Sequence, residues 1–413
     1  MVELRHRGTL LLRLLEHVQR LVHGTELPGH GWRYGRGVLD ATRSPLHPSA
    51  RDTLLAALDA GWADPRRLHR DGRQARHLLD RARESLAASL GARPDEVTFH
   101  PSGAHALRTG VAGLRHARRR VGARVVTSAV DQAALLHEAH DADPDFVPLP
   151  VDDLGRLLPE TLRSAFGEGP PIAAVALQHA NGEVGTIQPL EDLSLVCRAA
   201  GLPLLVDGTA SLGRVDTPGA YDVLVGDASS VAGPPLGVLA VRTGTRFDLP
   251  GPRWEPEQGR EPADPWVPLA LAAAEAWQQA EHARPAESAS ARALIDRIRA
   301  TAAGVPDVEV VGDPTDRLPH VVTFSALYVD GESLVDALDR LGIVVASGSA
   351  CTSSRLEPSH VLAAMGALTH GNVRVTLPLE AVSPDRATDV GALCRELGGV
   401  VAELRARLGV SDL

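Results

Sequence analysis

Residues 345–366 read VASGSACTSSRLEPSHVLAAMG. A β-branched run, Ile343 to Val345, leads into this stretch, and a helix is expected to start near Pro358. Between them Cys351 stands among Ser347, Gly348, Ser349, Ala350, Thr352, Ser353 and Ser354. Small and hydroxylated neighbours leave a thiol accessible, and an accessible thiol can be a nucleophile or a sulfur carrier. A free cysteine is more often a small core side chain. Surroundings this rich in Gly and Ser argue for a loop instead.

The rest of the chain sets the frame. Its 413 residues suffice for two domains, or one domain and a lobe. A composition 44% hydrophobic and 23% charged fits a soluble globular protein, and no apolar run reaches membrane-spanning length. The net charge of −10 gives no general pull toward nucleic acid. A basic cluster at Arg115, His116 and Arg118 to Arg120 reads as a solvated face rather than an RNA contact. Cys197, Cys351 and Cys394 show no paired spacing, which argues against a disulfide framework and against a zinc site. No metal site is expected, and the compartment is expected to be reducing and cytoplasmic. All 42 Lys/Arg residues are arginine. The absence of lysine has a chemical consequence, because a guanidinium does not form a Schiff base.

Residues 8–23 have the apolar spacing of an amphipathic helix, and residues 24–37 read as a Gly-rich linker. A second helix is expected over 66–91, with Ala75, Leu78, Leu79, Ala82 and Leu86 on one stripe. Apolar runs at 97–100, 124–128, 172–178, 204–207, 222–226 and 237–242 read as strands. Helical patterns at 103–115, 158–166 and 190–200 separate them. Strands apolar throughout and alternating with helices predict an α/β fold with a mainly parallel sheet covered on both faces. A long helical region follows the Pro- and Glu-rich stretch 250–268. After it come VEVVG, HVVTFSAL, a helix at 331–341, the Cys351 loop, NVRVTLP and a final helix at 384–408.

The Cys351 run closely resembles the active-site loop of the cysteine desulfurases, class V aminotransferase-like enzymes that use pyridoxal phosphate (PLP). There the loop reads SGSACTS followed by LEPS-x-VL-x-A-x-G. The resemblance runs from Gly37 to the C-terminus; GVLDATRSP is similar to the family's opening LDNAATTP, one residue shorter and without its Asn. It implies that Cys351 would take sulfur from substrate cysteine as a persulfide. It also implies a PLP-dependent transferase fold of the aspartate aminotransferase type. The large domain, 37–268, would hold a mainly parallel, seven-stranded-type sheet. A connecting helix and a small α+β C-terminal lobe carrying the Cys351 loop would occupy 269–413, and a helix and linker would occupy 1–36.

By the same resemblance, the lysine that holds PLP stands in a segment similar to SGHK-x-x-GP. Here that segment is DASSVAGP, 227–234, and Gly233-Pro234 sets the register, so the lysine's place falls to Ser230. The phosphate loop, SGGTEA or SGATEA in the family, is PSGAHA here: Ser102 and Gly103 remain, and the threonine and glutamate become Ala104 and His105. Backbone N–H groups at the start of that helix can still hold an anion. The family's ring-stacking histidine falls on Gln132, and its RSGTEN segment is roughly REPADPW, 260–266. Asp207 in LLVDGTASLG matches the aspartate that pairs with the pyridine nitrogen, or it caps a helix. Asn181 in HANGEVGTIQP faces the site or holds a turn. Arg374 in NVRVTLP matches the arginine that clamps the substrate carboxylate, or it pairs with a core acid.

A lost phosphate hydroxyl costs about 0.5–1.5 kcal/mol, whereas a lost Schiff-base lysine removes the covalent step itself. The expectation is therefore a cysteine desulfurase-like pseudoenzyme with no covalent cofactor, a degenerate PLP pocket and weak non-covalent PLP binding at most. It would act as a partner or scaffold in sulfur metabolism, as a homodimer or as a heterodimer with an active desulfurase. One alternative is a PLP-independent persulfide carrier that passes sulfur from Cys351 to an acceptor protein in iron–sulfur assembly or tRNA thiolation. The other is an ordinary cysteine desulfurase.

Overall fold

The computed structural model describes residues 37–347 and 358–410, apart from Arg43, Trp62, Pro144 and Glu168. The expected N-terminal helix at 8–23 and Cys351 with its loop lie outside the described residues. In chain order the first half runs α1 (Pro48–Asp59), α2 (Arg70–Ser89), β1 (Val97–His100), α3 (Gly103–Arg118), β2 (Arg124–Val126), α4 (Ala133–Ala142), α5 (Pro159–Ala165), β3 (Ile172–Gln178) and α6 (Leu190–Ala199). Then follow β4 (Leu204–Asp207), β5 (Val223–Asp227), β6 (Gly237–Val241), α7 (Val267–Ala303), β7 (Val308–Val311) and β8 (Val321–Ala326). The chain ends in α8 (Gly331–Arg340), α9 (His360–Met365), β9 (Asn372–Thr376) and α10 (Arg386–Arg407).

The larger sheet has the order β1-β6-β5-β4-β3-β2. Strands β2 to β5 pair in parallel, and β6 runs antiparallel to both β5 and β1. Both faces are covered, which explains why the strands are apolar without alternation. Ala174 and Ala176 of β3, Leu205 of β4, Val223 and Val225 of β5 and Leu239 of β6 pack with Leu107, Val111 and Leu114 of α3. The intervening Val175, Leu177, Val206, Leu224 and Val238 pack on the other side with α2, α6 and α7. At Gly110 of α3 a Cβ would fall 2.7 Å from a Leu205 methyl, so the helix lies close on the sheet because that residue is glycine.

The expected mainly parallel sheet is present, with six strands among the described residues where a seven-stranded type was expected. Next to β2 the chain returns through VPLPV, 147–151, where Leu149 makes a single parallel bridge to Ser128. Leu149 gives its N–H to the Thr127 carbonyl and accepts the Ala129 N–H, while Pro148 and Pro150 turn their backbone away from β2, where an edge needs no N–H. Several ends shift as well: β2 stops at Val126, and the helix expected from residue 66 starts at Arg70 behind the cap His69, whose Nδ1 accepts the Gly72 N–H. The basic cluster lies at the last turn of α3, where cations complement the helix's negative end.

Helix α7 serves two cores. Ala270, Ala273, Ala276, Trp277 and Ala280 pack beneath the larger sheet, and Ala291, Ile295, Ile298 and Ala302 pack under the antiparallel β7-β8-β9 sheet with α8 and α10. Pro285 sits between the two contact stretches. No helix of the described residues is long and apolar enough to cross a membrane.

Candidate functional site

The C-terminal ends of β3, β4 and β5 meet the N-terminus of α3. In α/β sheets this is where ligands bind, because the strand ends leave a crevice and the helix end offers free N–H groups. Here the sequence has furnished that crevice with its own acids and amides.

Asp207 closes β4 and is buried. Its Oδ1 accepts the Thr209 backbone N–H at 3.0 Å and the Thr209 hydroxyl at 2.7 Å. Its Oδ2 accepts a hydrogen bond from Gln132 Nε2. Burial pushes the Asp207 carboxyl up from the usual range, and nearby Asp227 adds to the push, while Thr209 and Gln132 oppose it. Gln132 makes no side-chain cap on α4; its amide goes to Asp207 instead.

Asp227 ends β5. Its Oδ1 accepts from the Ser229 N–H at 2.9 Å and the Ser229 hydroxyl at 2.6 Å. Its Oδ2 accepts the Gly103 N–H, the first of α3, at 2.6 Å. At Gly103 a Cβ would stand 2.9 Å from that carboxylate oxygen and 3.0 Å from the Thr209 methyl, so the approach requires glycine. Ser102 caps the helix, its Oγ accepting the His105 N–H at 3.2 Å. The Ser102 carbonyl accepts the Ala106 N–H, and Ala104 contributes only a methyl group. Ser230 donates its hydroxyl to the Asp227 carbonyl at 2.7 Å, and its own carbonyl accepts from Arg214 Nε at 3.1 Å.

Asn181 is committed to a turn: Oδ1 accepts the Glu183 and Val184 N–H groups at 2.8 Å, and Nδ2 donates to the Val130 carbonyl at 2.8 Å. Asp131 joins the same wall, accepting from Gln178 N at 2.7 Å and from Ser128 N at 2.6 Å. Burial pushes its carboxyl up to about 7 against those bonds. Arg374 lies in β9 opposite Thr323, and its backbone exchanges hydrogen bonds with Ala346 at 2.7 and 3.1 Å, beside the start of the Cys351 loop. Its charge reaches Glu183, a half-buried acid whose carboxyl is pushed up by desolvation and held back by Ser359 and Arg374.

Of the residues expected to hold a cofactor, Asp207 and Gln132 meet each other, Ser102 and Gly103 form the helix start, and Ser230 faces its own backbone. Reading the sequence overlooked Asp227 and Thr209. One signal was available: an acid directly after the apolar run VLVG, at the mouth of a central strand.

The family model for aminotransferase class V matches residues 44–219 and 252–383. The interval 220–251, which it leaves unmatched, holds Asp227, Ser229 and Ser230. The chain is 30% identical over 357 residues to the cysteine desulfurase IscS of Dictyoglomus turgidum, covering 84% of this chain and 90% of that protein. It is 32% identical over 368 residues to the cysteine desulfurase NifS of Azotobacter vinelandii, covering 85% and 89%. Among solved structures, a NifS-like protein superposes with a TM-score of 0.78 at 20% identity, over 89% of this chain and all of that one. DndA from Streptomyces lividans superposes with a TM-score of 0.68 at 24% identity, over 82% and 98%. With the type I PLP-transferase architecture and the cysteine desulfurase likeness both in place, the chain belongs to the class V aminotransferase family, as a cysteine desulfurase-like member.

Proposed function

We propose that this protein is a cysteine desulfurase-like pseudoenzyme that serves as a partner or scaffold in sulfur metabolism. One observation carries the reading: the chain has no lysine. By the resemblance of DASSVAGP to the family's lysine segment we assign the lysine's place to Ser230, whose hydroxyl is bonded to the Asp227 carbonyl. PLP chemistry needs an amine to condense with the aldehyde, and no side chain supplies one. The remaining contacts fit the coenzyme poorly. Asp227 fills the anion position at the start of α3, where a phosphate would meet a like charge. Gln132 covers the Asp207 oxygen that a pyridinium N–H would need.

Fold retention with the covalent step gone suits a role through surfaces, as a homodimer or as a heterodimer with an active desulfurase. The test is the purified protein with added PLP and cysteine. The expected result is no sulfide release and no borohydride-reducible adduct on any side chain; turnover would establish ordinary desulfurase activity and overturn this reading.

The unbroken SGSACTSSRLEPS stretch favours a second reading, in which Cys351 accepts a persulfide from an active desulfurase and passes it to an acceptor protein. Cys197 would not compete, since burial pushes its thiol up to about 12. Mass spectrometry after incubation with an active desulfurase and cysteine checks this: one added sulfur on Cys351 supports it, and an unlabelled Cys351 removes it.

A further inference from the structure

Away from the strand-end crevice, three side chains of metal-ligand type converge. His100 closes β1, His105 lies in the first turn of α3, and Glu261 follows the turn at 256–259. His100 Nδ1 is 2.5 Å from Glu261 Oε1, and His105 Nε2 is 2.9 Å from the same oxygen. The three candidate ligand atoms all lie within 4.8 Å of one another. His100 and Glu261 are buried, and the His105 side chain is 45% exposed.

Thr98 Oγ1 lies 3.0 Å from His100 Nε2 and 3.3 Å from the Leu239 carbonyl, and it accepts from Arg260 Nη1 at 3.4 Å. In one tautomer His100 Nδ1–H donates to Glu261 Oε1. In the other, Thr98 gives its hydrogen to the Leu239 carbonyl and accepts from Nε2–H, which leaves the Nδ1 lone pair free to ligate a cation shared with Glu261. Arg260 also donates to the Glu96 carbonyl at 3.0 Å and Arg83 is bound to Glu257, so neither takes that place. An imidazole oriented from behind by a hydrogen bond is the usual arrangement of a metal-ligating histidine.

We propose that His100, His105 and Glu261 bind a divalent transition-metal ion. Two imidazoles and one carboxylate suit zinc, with the exposed side at His105 leaving a coordination position for water and a path of entry. Magnesium and calcium prefer all-oxygen sites, whereas cobalt(II), nickel(II) and iron(II) accept this donor set. Metal–ligand bonds of about 2.0–2.2 Å need the donors roughly 3.3 Å apart, so Glu261 withdraws by less than about 1 Å from each nitrogen and the two imidazole nitrogens close to that same spacing. The frame for that adjustment is firm. Glu257, held by the Phe99 N–H at 2.7 Å and by Arg83 at 2.7 and 2.8 Å, ties the segment before Glu261 to β1. At the α3 N-terminus the Asp227 carboxylate offsets the helix's positive end, which would otherwise oppose a cation.

The test uses the full chain, stripped with a chelator and titrated with CoCl2 alone and ZnCl2 alone, read by calorimetry and by cobalt visible absorption. One saturable site per chain is expected. His105→Ala and Glu261→Gln should each weaken it by about 100-fold, and Thr98→Val by about 10-fold through loss of the orienting bond. His137→Ala, at an exposed histidine on α4, should leave it unchanged. His105 is exposed and Glu261→Gln keeps the side-chain shape, so metal-free melting temperatures close to the parent's would separate ligand loss from unfolding. The absence of saturable binding, or binding unchanged by both His105→Ala and Glu261→Gln, overturns the proposal; in that event the cation between His100 and Glu261 is a proton.

Discussion

The Asp227 carboxylate accepts the Gly103 N–H at 2.6 Å, so the last residue of β5 caps the start of α3. This bond places an internal anion where a helix N-terminus would otherwise take an external one. Asp227→Ser should open that position. Inorganic phosphate and PLP are then expected to bind non-covalently at least about tenfold more tightly than to the parent, as one like charge is removed. Losing the carboxylate's bonds to Gly103 and Ser229 should cost about 1–2 kcal/mol of stability. Calorimetric titration and urea unfolding check the two halves separately.

On the proposed reading, a lysine introduced at residue 230 alone should not give cofactor chemistry. Ser230→Lys is expected to give little borohydride-reducible PLP adduct at residue 230 while Asp227 and Gln132 keep their partners. Adding Asp227→Ser to Ser230→Lys should raise the adduct yield. Peptide mapping of the reduced protein separates residue 230 from the chain's α-amino group, and a full yield from Ser230→Lys alone would show that Asp227 does not block the position.

Buried histidines set the acid side of the stability profile. Burial holds the His179 imidazole down at about 4. An unfolded histidine titrates near 6.5, so between these values the unfolded chain binds a proton that the folded chain does not. Stability from this residue is therefore full above about pH 6.5 and lost as pH falls toward 4, a total of about 3 kcal/mol. His320, buried near Arg214 and Arg386, is shifted in the same direction. Urea midpoints at pH 7 and pH 5 should show a smaller drop for His179→Gln than for the parent.

The Arg83–Glu257 pair is buried and bidentate. Glu257→Ala leaves the guanidinium without its acid and the Phe99 N–H without its acceptor, and should cost about 3–5 kcal/mol in denaturant unfolding. The edge strand β1 depends on this pair, because Glu257, Arg83 and Arg260 satisfy backbone groups on its outer side and in the turn before it. Edge exposure should follow, measured as faster amide exchange at Phe99.

Much of the framework was legible because its determinants are local. Unbroken apolar runs such as IAAVALQ coincide with β3 at both ends, since a strand buried on two faces cannot alternate. Strand direction was less legible: β6 is as apolar as its neighbours and runs antiparallel, and a side-chain pattern is the same in either direction. That VPLPV meets the edge at a single bridge was not legible either, because edge pairing depends on tertiary packing.

By itself the sequence determined one limit on the covalent chemistry: with no lysine, no side-chain amine can form an imine with an aldehyde, whatever the fold. It also showed the family, through motifs that are contiguous in the chain. Only the tertiary structure decided which distant residues meet. The partnership of Asp227 with Gly103 spans 124 residues, and that of His100 with Glu261 spans 161. A hydrogen bond or a metal site depends on distances of a few ångströms, and chain separations of that size leave those distances to the packing of the sheet and its helices.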